Sequence, residues 1–177
     1  MAVRTLTVWR FLDGKPGHEK QSLGLCRALA RLHPAAVHEI RAGPRWRDAG
    51  RWLTGRYAPG ATLARPDLLV VAGHGTHLAG LAARRAHGGR LVAIMRPSLP
   101  SRCFDACLIP EHDEPEAAEH IVATRGALNN VTTSARHDSA TGVILLGGPS
   151  AHYAWDSADI AAQVLRVVRT QAGVRWT

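Results

Sequence analysis

Leu68-Leu69-Val70-Val71-Ala72-Gly73-His74-Gly75-Thr76-His77 is the stretch that decides the fold. Five apolar residues without a polar interruption suit a strand buried on both faces, as strands are inside a parallel sheet. The run breaks at Gly73, and a helix is expected to follow through about Ala86, stopped by Gly88-Gly89. Glycine tolerates the left-handed conformation in which helices commonly end. Strand, glycine-bearing turn and helix make half of a βαβ unit, and Leu91-Val92-Ala93-Ile94-Met95 supplies the next buried strand.

The same alternation extends outward in both directions. Upstream, Leu6–Phe11 reads as a strand, the polar turn Asp13-Gly14-Lys15-Pro16-Gly17 follows, and a helix is expected over His18–Leu32. Leu25, Leu29 and Leu32 recur there at i, i+4, i+7 beside Cys26, which is one face of a helix. Ala36–Ile40 is a further short strand. Downstream, Phe104–Ile109, Ile121–Thr124 and Val143–Leu146 read as strands, and Ser157–Arg169 as a helix with Ile160, Val164, Val167 and Val168 on one side. The expected fold class is α/β, with a mostly parallel sheet and helices on both faces. Right-handed crossovers place the strand-to-helix turns along one edge of that sheet, where ligands bind in open α/β proteins. The polar stretch 125–142 divides the chain, giving expected domains 1–140 and 141–177.

Composition narrows the function classes. A hydrophobic fraction of 46% with 20% charged residues is that of a folded globular chain. No apolar run reaches the roughly 20 residues of a bilayer span, and the N-terminus lacks the pattern of a secretory signal. Cys26, Cys103 and Cys107 are too few and too irregularly spaced for a disulfide framework or a zinc site, so a reducing, cytoplasmic setting is expected, with no metal and no cofactor. Of the 22 Lys and Arg, eleven fall in residues 1–60 against four Asp and Glu, so the net charge of +8 belongs to the first half. That half should attract anions: phosphorylated small molecules or an anionic membrane surface. Twenty of the cations are Arg, so compositional bias is an equally good account. Nucleic acid is disfavoured because no recognition motif accompanies the charge.

The candidate chemistry sits in the turns. Gly14, Lys15, Gly17 and His18 combine backbone freedom, a point charge and a general base working near neutral pH; an ordinary β–α turn with a solvated lysine fits equally well. Gly73, His74, Gly75 and Thr76 permit close approach of a ligand, with Thr76 placed to cap the helix. His74 and His77 also suit capping or solvent. Arg96 and Ser98 put a bidentate donor and a hydroxyl at another strand end. Glu111 and Asp113 form a carboxylate pair suited to orienting a hydroxyl or acting as base, or to capping. Gly147, Gly148, Ser150 and His152 follow an apolar stretch in a manner suited to a diphosphate, although Pro149 removes one donor. Between Arg41 and Tyr57, five arginines are interleaved with Trp46, Trp52 and Tyr57. The spacing of Trp46, Ala49, Leu53 and Tyr57 predicts an amphipathic helix whose stripe packs on the domain, or, as the alternative, rests on an anionic membrane.

Four of these segments together resemble the mitochondrial-fission (elongated-mitochondria-type) family. They are Asp13–Ser22, Phe104-Asp105 with Pro110–Asp113, Thr124–Leu128 and Leu146–Tyr153, in the family's order along the chain. The family looks like GT-B glycosyltransferases, two Rossmann-like domains facing each other across a cleft. The resemblance implies that residues 1–140 are the N-terminal, acceptor-side domain and that 141–177 begin a truncated C-terminal domain, so that the 177-residue chain is inactive alone. It further implies His18, Glu111 and Asp113 as catalytic residues. Gly14, Lys15, Gly17, Gly73, His74, Gly75, Thr76, Arg96 and Ser98 would bind the acceptor, and Gly147, Gly148, Ser150 and His152 the diphosphate of a nucleotide-sugar. Met95–Ser98 departs from the family's wording, which bears on acceptor choice. Plant members look like adaptors that recruit a dynamin-type GTPase to mitochondria. That implies the alternative of a non-catalytic module, cytoplasmic and peripheral on a membrane.

Overall fold

A computed structural model describes residues 3–132, 136–149 and 154–177. The chain forms two compact units, Met1–Val131 and Thr132–Thr177. The first contains strands β1 (Leu6–Leu12), β2 (Ala35–Arg41), β3 (Leu68–Ala72), β4 (Arg90–Ile94), β5 (Ala106–Pro110) and β6 (Ile121–Thr124). It also contains helices α1 (Pro16–Leu32), α2 (Arg45–Thr54) and α3 (His74–His87). All six strands pair in parallel, in the order β2-β1-β3-β4-β5-β6. This is the Rossmann-like α/β sheet that the alternating segments lead one to expect. The order reverses between β1 and β3, so their C-terminal ends flank the switch point at which such sheets open a crevice.

Alternation along the strands builds two cores. Trp9, Phe11, Leu69, Val71, Leu91 and Ala93 point to one face and meet Ala79, Ala82 and Ala83 of α3. Val8, Val70, Ala72 and Ile94 point to the other, where Cys26, Leu25 and Leu29 of α1 cover them. Leu32 leaves the expected α1 stripe and is 86% exposed, because the helix ends there and His33 is already extended. Burial of the aliphatic faces, at roughly 25 cal/mol per Å² of apolar area removed from water, is the main stabilising term.

Arg10 breaks the apolar alternation yet is 4% exposed. Its Nε donates to Ser22 Oγ at 2.9 Å, one terminal nitrogen donates to the Glu19 carbonyl at 2.5 Å, and the other pairs with Glu39. One guanidinium thus ties β1 to α1 and β2, satisfying the hydrogen bonds that make its burial tolerable.

α2 differs from its expected packing. The helix ends at Thr54 because Gly55 takes φ +66°, so Tyr57 lies beyond it rather than on its stripe. Tyr57 is buried, while Trp46 is 72% and Leu53 69% exposed. The buried side chain of α2 is Asp48, which accepts the Gly43 N–H at 3.0 Å and an Arg51 N–H at 2.7 Å.

The second unit contains β7 (Thr141–Gly142), α4 (Ser157–Thr170) and β8 (Arg175–Trp176). β7 and β8 pair in parallel, and the Trp176 ring packs directly on Gly142. The strand expected over Val143–Leu146 does not form; Val143, Leu145 and Leu146 are exposed, and past β7 and β8 the Thr177 N–H donates to the Gly142 carbonyl and the Ile144 N–H to the Thr177 carbonyl, each at 3.0 Å. An apolar strand is held by burial of both faces, and here that burial is missing. α4 is capped by Asp156, whose side chain accepts from Ala158 and Asp159, and it buries no residue.

Candidate functional site

The turns that end β1, β3 and β4 meet at one edge of the sheet, because six parallel strands present their C-termini to the same side. Gly14 adopts φ +81° and reverses the chain after β1, and the Asp13 carboxylate accepts the Lys15 N–H at 3.1 Å across that turn. Glu19 reaches back to accept the Gly14 N–H at 3.0 Å, fixing the entry into α1. Pro16 occupies the first turn of the helix, where its missing N–H costs nothing.

This closed turn aims His18 at Asp13. The two side chains lie 2.7 Å apart, Nδ1 to Oδ2, with Asp13 7% and His18 20% exposed. A carboxylate only accepts, so Nδ1 carries the hydrogen and the neutral ring keeps its lone pair on Nε2. That is the arrangement of an oriented general base.

The pair is seated on the start of α3. Gly73 takes φ +76° and ψ 154°, a region open in practice only to glycine. A Cβ there would lie 2.1 Å from His18 Cε1 and 2.2 Å from its Nδ1, so the ring occupies the space a side chain would need. A Cβ at Gly75 would lie 3.1 Å from the Asp13 Cβ. The glycines of the β3 turn therefore let the β1 turn close over it. The first amides of α3 have no partner within the helix, and the positive end of its dipole lies beside the Asp13–His18 pair.

Two further contacts bring in the β4 turn. The Gln21 amide donates to Met95 Sδ at 3.2 Å, and Met95 itself is held at φ +70°. His77 of α3 is 2% exposed and bonds Ser98 Oγ through Nδ1 at 3.2 Å, with the Phe104 ring edge-on at 5.3 Å. Its Nε2 is buried without a partner. Burial, then the neighbouring charges of His74, His18 and Arg45, push His77 down to about 4, so it is neutral at physiological pH and serves as a rigid spacer between the turns.

The predicted residues thus divide. Gly14, Lys15, Gly17, His18, Gly73, His74, Gly75 and Thr76 share the β1–β3 rim, with Lys15 and His74 exposed. Thr76 is no cap: Gly73 occupies that position, and the Thr76 hydroxyl donates back to the Ala72 and Gly73 carbonyls at 3.1 and 2.9 Å. Ser98 joins the rim through His77. Arg96 turns away from it, donating to the Asp113 and, at 2.6 Å, the Glu114 carbonyls. It lines a pocket of about 310 Å³ with Leu99, Arg102, Ile109, Glu116 and Ile121. Glu111 and Asp113 sit on a short 3-10 turn after β5, Glu111 exposed. Gly147 and Gly148 belong to the second unit, in an irregular segment; Ser150 and His152 lie outside the described residues.

Asp13 and Gln21 were given no role by the sequence, although an acid five residues before a histidine across a Gly-rich turn is a readable signal. His77, expected to cap or to face solvent, is instead buried against Ser98 and Phe104. Among the described residues no three His, Cys, Asp or Glu side chains cluster as metal ligands, and no helix is long and apolar enough to cross a membrane.

The fold is that of an open parallel α/β protein whose Gly-bearing turns after β1 and β3 flank the switch point of the sheet. Within that class, the chain belongs to the family described as mitochondrial fission ELM1, whose sequence model matches residues 16–177. No curated protein and no solved structure matches it.

Proposed function

We propose that this protein acts as a glycosyltransferase on nucleotide-activated sugars, with the Rossmann-like unit as the acceptor-binding half. The observation that carries the reading is the Asp13–His18 pair, 2.7 Å apart and seated on Gly73 at the start of α3. His18 Nε2 takes the proton of an acceptor hydroxyl as its oxygen bonds the sugar's anomeric carbon. The bond from that carbon to the diphosphate breaks, and the nucleoside diphosphate leaves with the electron pair. Asp13 holds the ring in the productive tautomer and stabilises the imidazolium that forms. Lys15 and the His74 and Gly75 amides at the start of α3 offer the acceptor an anion site. Glu111 and Asp113 are the weaker candidates for base, since nothing ties either carboxylate to the β1–β3 rim. The donor diphosphate is assigned to Gly147, Gly148, Ser150 and His152.

The test is release of uridine or guanosine diphosphate from UDP-glucose, UDP-N-acetylglucosamine and GDP-mannose, using protein expressed from its natural reading frame with a membrane-lipid extract as acceptor source. Release is expected from at least one donor. His18→Ala should lower kcat by about 10²–10⁴ with little change in KM for the donor, and Asp13→Asn should fall in the same range. No release from any donor, or full activity in His18→Ala, defeats the reading.

A further inference from the structure

The outward face of α2 is the feature that neither the fold nor the rim uses. Trp46 and Leu53 are seven residues apart, two turns along one side of the helix and about 10 Å from each other. Both stand in solvent, 72% and 69% exposed, and Trp52 is 39% exposed. Around them, residues 41–66 hold six arginines and a single carboxylate, Asp48. That carboxylate is buried and engaged by Gly43 and Arg51, so it neutralises nothing on the surface. Arg45, Arg47 and Arg56 are exposed, the Arg47 guanidinium lying 5.2 Å over the Trp46 ring.

We infer that α2 lies flat on an anionic phospholipid surface, with Trp46 and Leu53 inserted at the level of the headgroups and Arg45, Arg47 and Arg56 on the lipid phosphates. An exposed apolar pair framed by cations on one helix is the composition of an interfacial helix. Tryptophan favours the boundary between apolar and wet surroundings, and guanidinium matches phosphate. A second copy of the chain is the poorer occupant, because a two-fold contact would set the same arginines against each other. Nucleic acid would take the charge but has no use for Leu53. Arg45 opens α2 four residues after β2 ends, at the edge of the sheet where the turns after β1 and β3 also lie. A membrane that takes this end of the helix has the β1–β3 rim on the same edge. The inference goes beyond the transferase reading and stands or falls separately, since vesicle binding needs no turnover.

Co-sedimentation with vesicles of phosphatidylcholine alone, and of phosphatidylcholine mixed with phosphatidylglycerol, tests it. Binding is expected to the mixed vesicles only, and to weaken as salt is added. Arg45→Gln with Arg47→Gln should reduce partitioning about twenty-five-fold. Trp46→Ser with Leu53→Ser should reduce it roughly tenfold or more. All four positions are exposed, so unchanged circular dichroism is expected, and if one pair fails to fold the other carries the test. Equal binding to both vesicle types, no binding, or indifference to both pairs overturns the inference. So does a duplex oligonucleotide that binds in place of vesicles, or a dimer that the Trp46/Leu53 pair disrupts.

Discussion

His77 shows how one buried side chain can carry a measurable signature of the site. Folded, it stays neutral down to about pH 4, chiefly through burial. In the unfolded chain its imidazole takes a proton near ~6.5. Between those values the unfolded state holds more protons, so His77 makes stability fall as pH drops from about 6.5 toward 4 and adds nothing further below that. Urea midpoints measured at pH 7 and pH 5 should show the loss, and His77→Gln should flatten it; an equally steep dependence in the variant removes His77 from the account. The sequence offered His18 as a candidate general base from its residue type and its place in a Gly-rich turn. What it did not offer is the partner, Asp13, whose carboxylate lies 2.7 Å from the ring. The apparent symmetry of His74 and His77 dissolved because one is exposed and the other enclosed.

Among elements, legibility followed burial. β3 runs over the residues expected of it, because five apolar residues buried inside a sheet leave little freedom in its limits; β6 also keeps its expected limits, although it is an edge strand that buries no residue. Val143–Leu146 has the same composition and makes no strand, since strand formation also needs something to bury against. The α2 stripe was misread because periodicity was carried through Gly55, where the backbone turns left-handed. Arg10 was unreadable as a tie between β1, α1 and β2, because a lone cation in a strand ordinarily marks the solvent side. The junction of β3 and α3 yields a prediction at this scale. Gly73→Ala forces a side chain into both a glycine-only conformation and the space of the His18 ring. The backbone term alone should cost about 1–3 kcal/mol. Thermal denaturation should report that loss, and the His18 ring resonances should shift in the NMR spectrum. An alanine variant as stable as the parent would mean the β1 turn does not rest on β3 as described.

At the scale of the whole molecule the family match spans residues 16–177 and so takes in both compact units, although they differ in how much they enclose. The first has two cores around a six-stranded sheet; α4 of the second buries no residue. Amide hydrogen exchange should separate them, with β1, β3 and β4 the slowest and α4 exchanging roughly a hundredfold faster or more. Comparable protection in α4 would contradict its observed exposure. Charge follows a similar division: seventeen of the 22 Lys and Arg fall in residues 1–110, with six of the 14 Asp and Glu. The fold could be read from the sequence because alternation repeats along most of the chain, whereas the site depends on which turns end up adjacent, and only the strand order reveals that. One local detail, the enclosed carboxylate of Asp48, has a wider meaning. A helix latched to its body by an acid, an amide and an arginine owes little of its attachment to the residues that look outward. Those outer positions are thereby released from folding duty, and they can change one substitution at a time while the sheet and its turns behind them stay as they are.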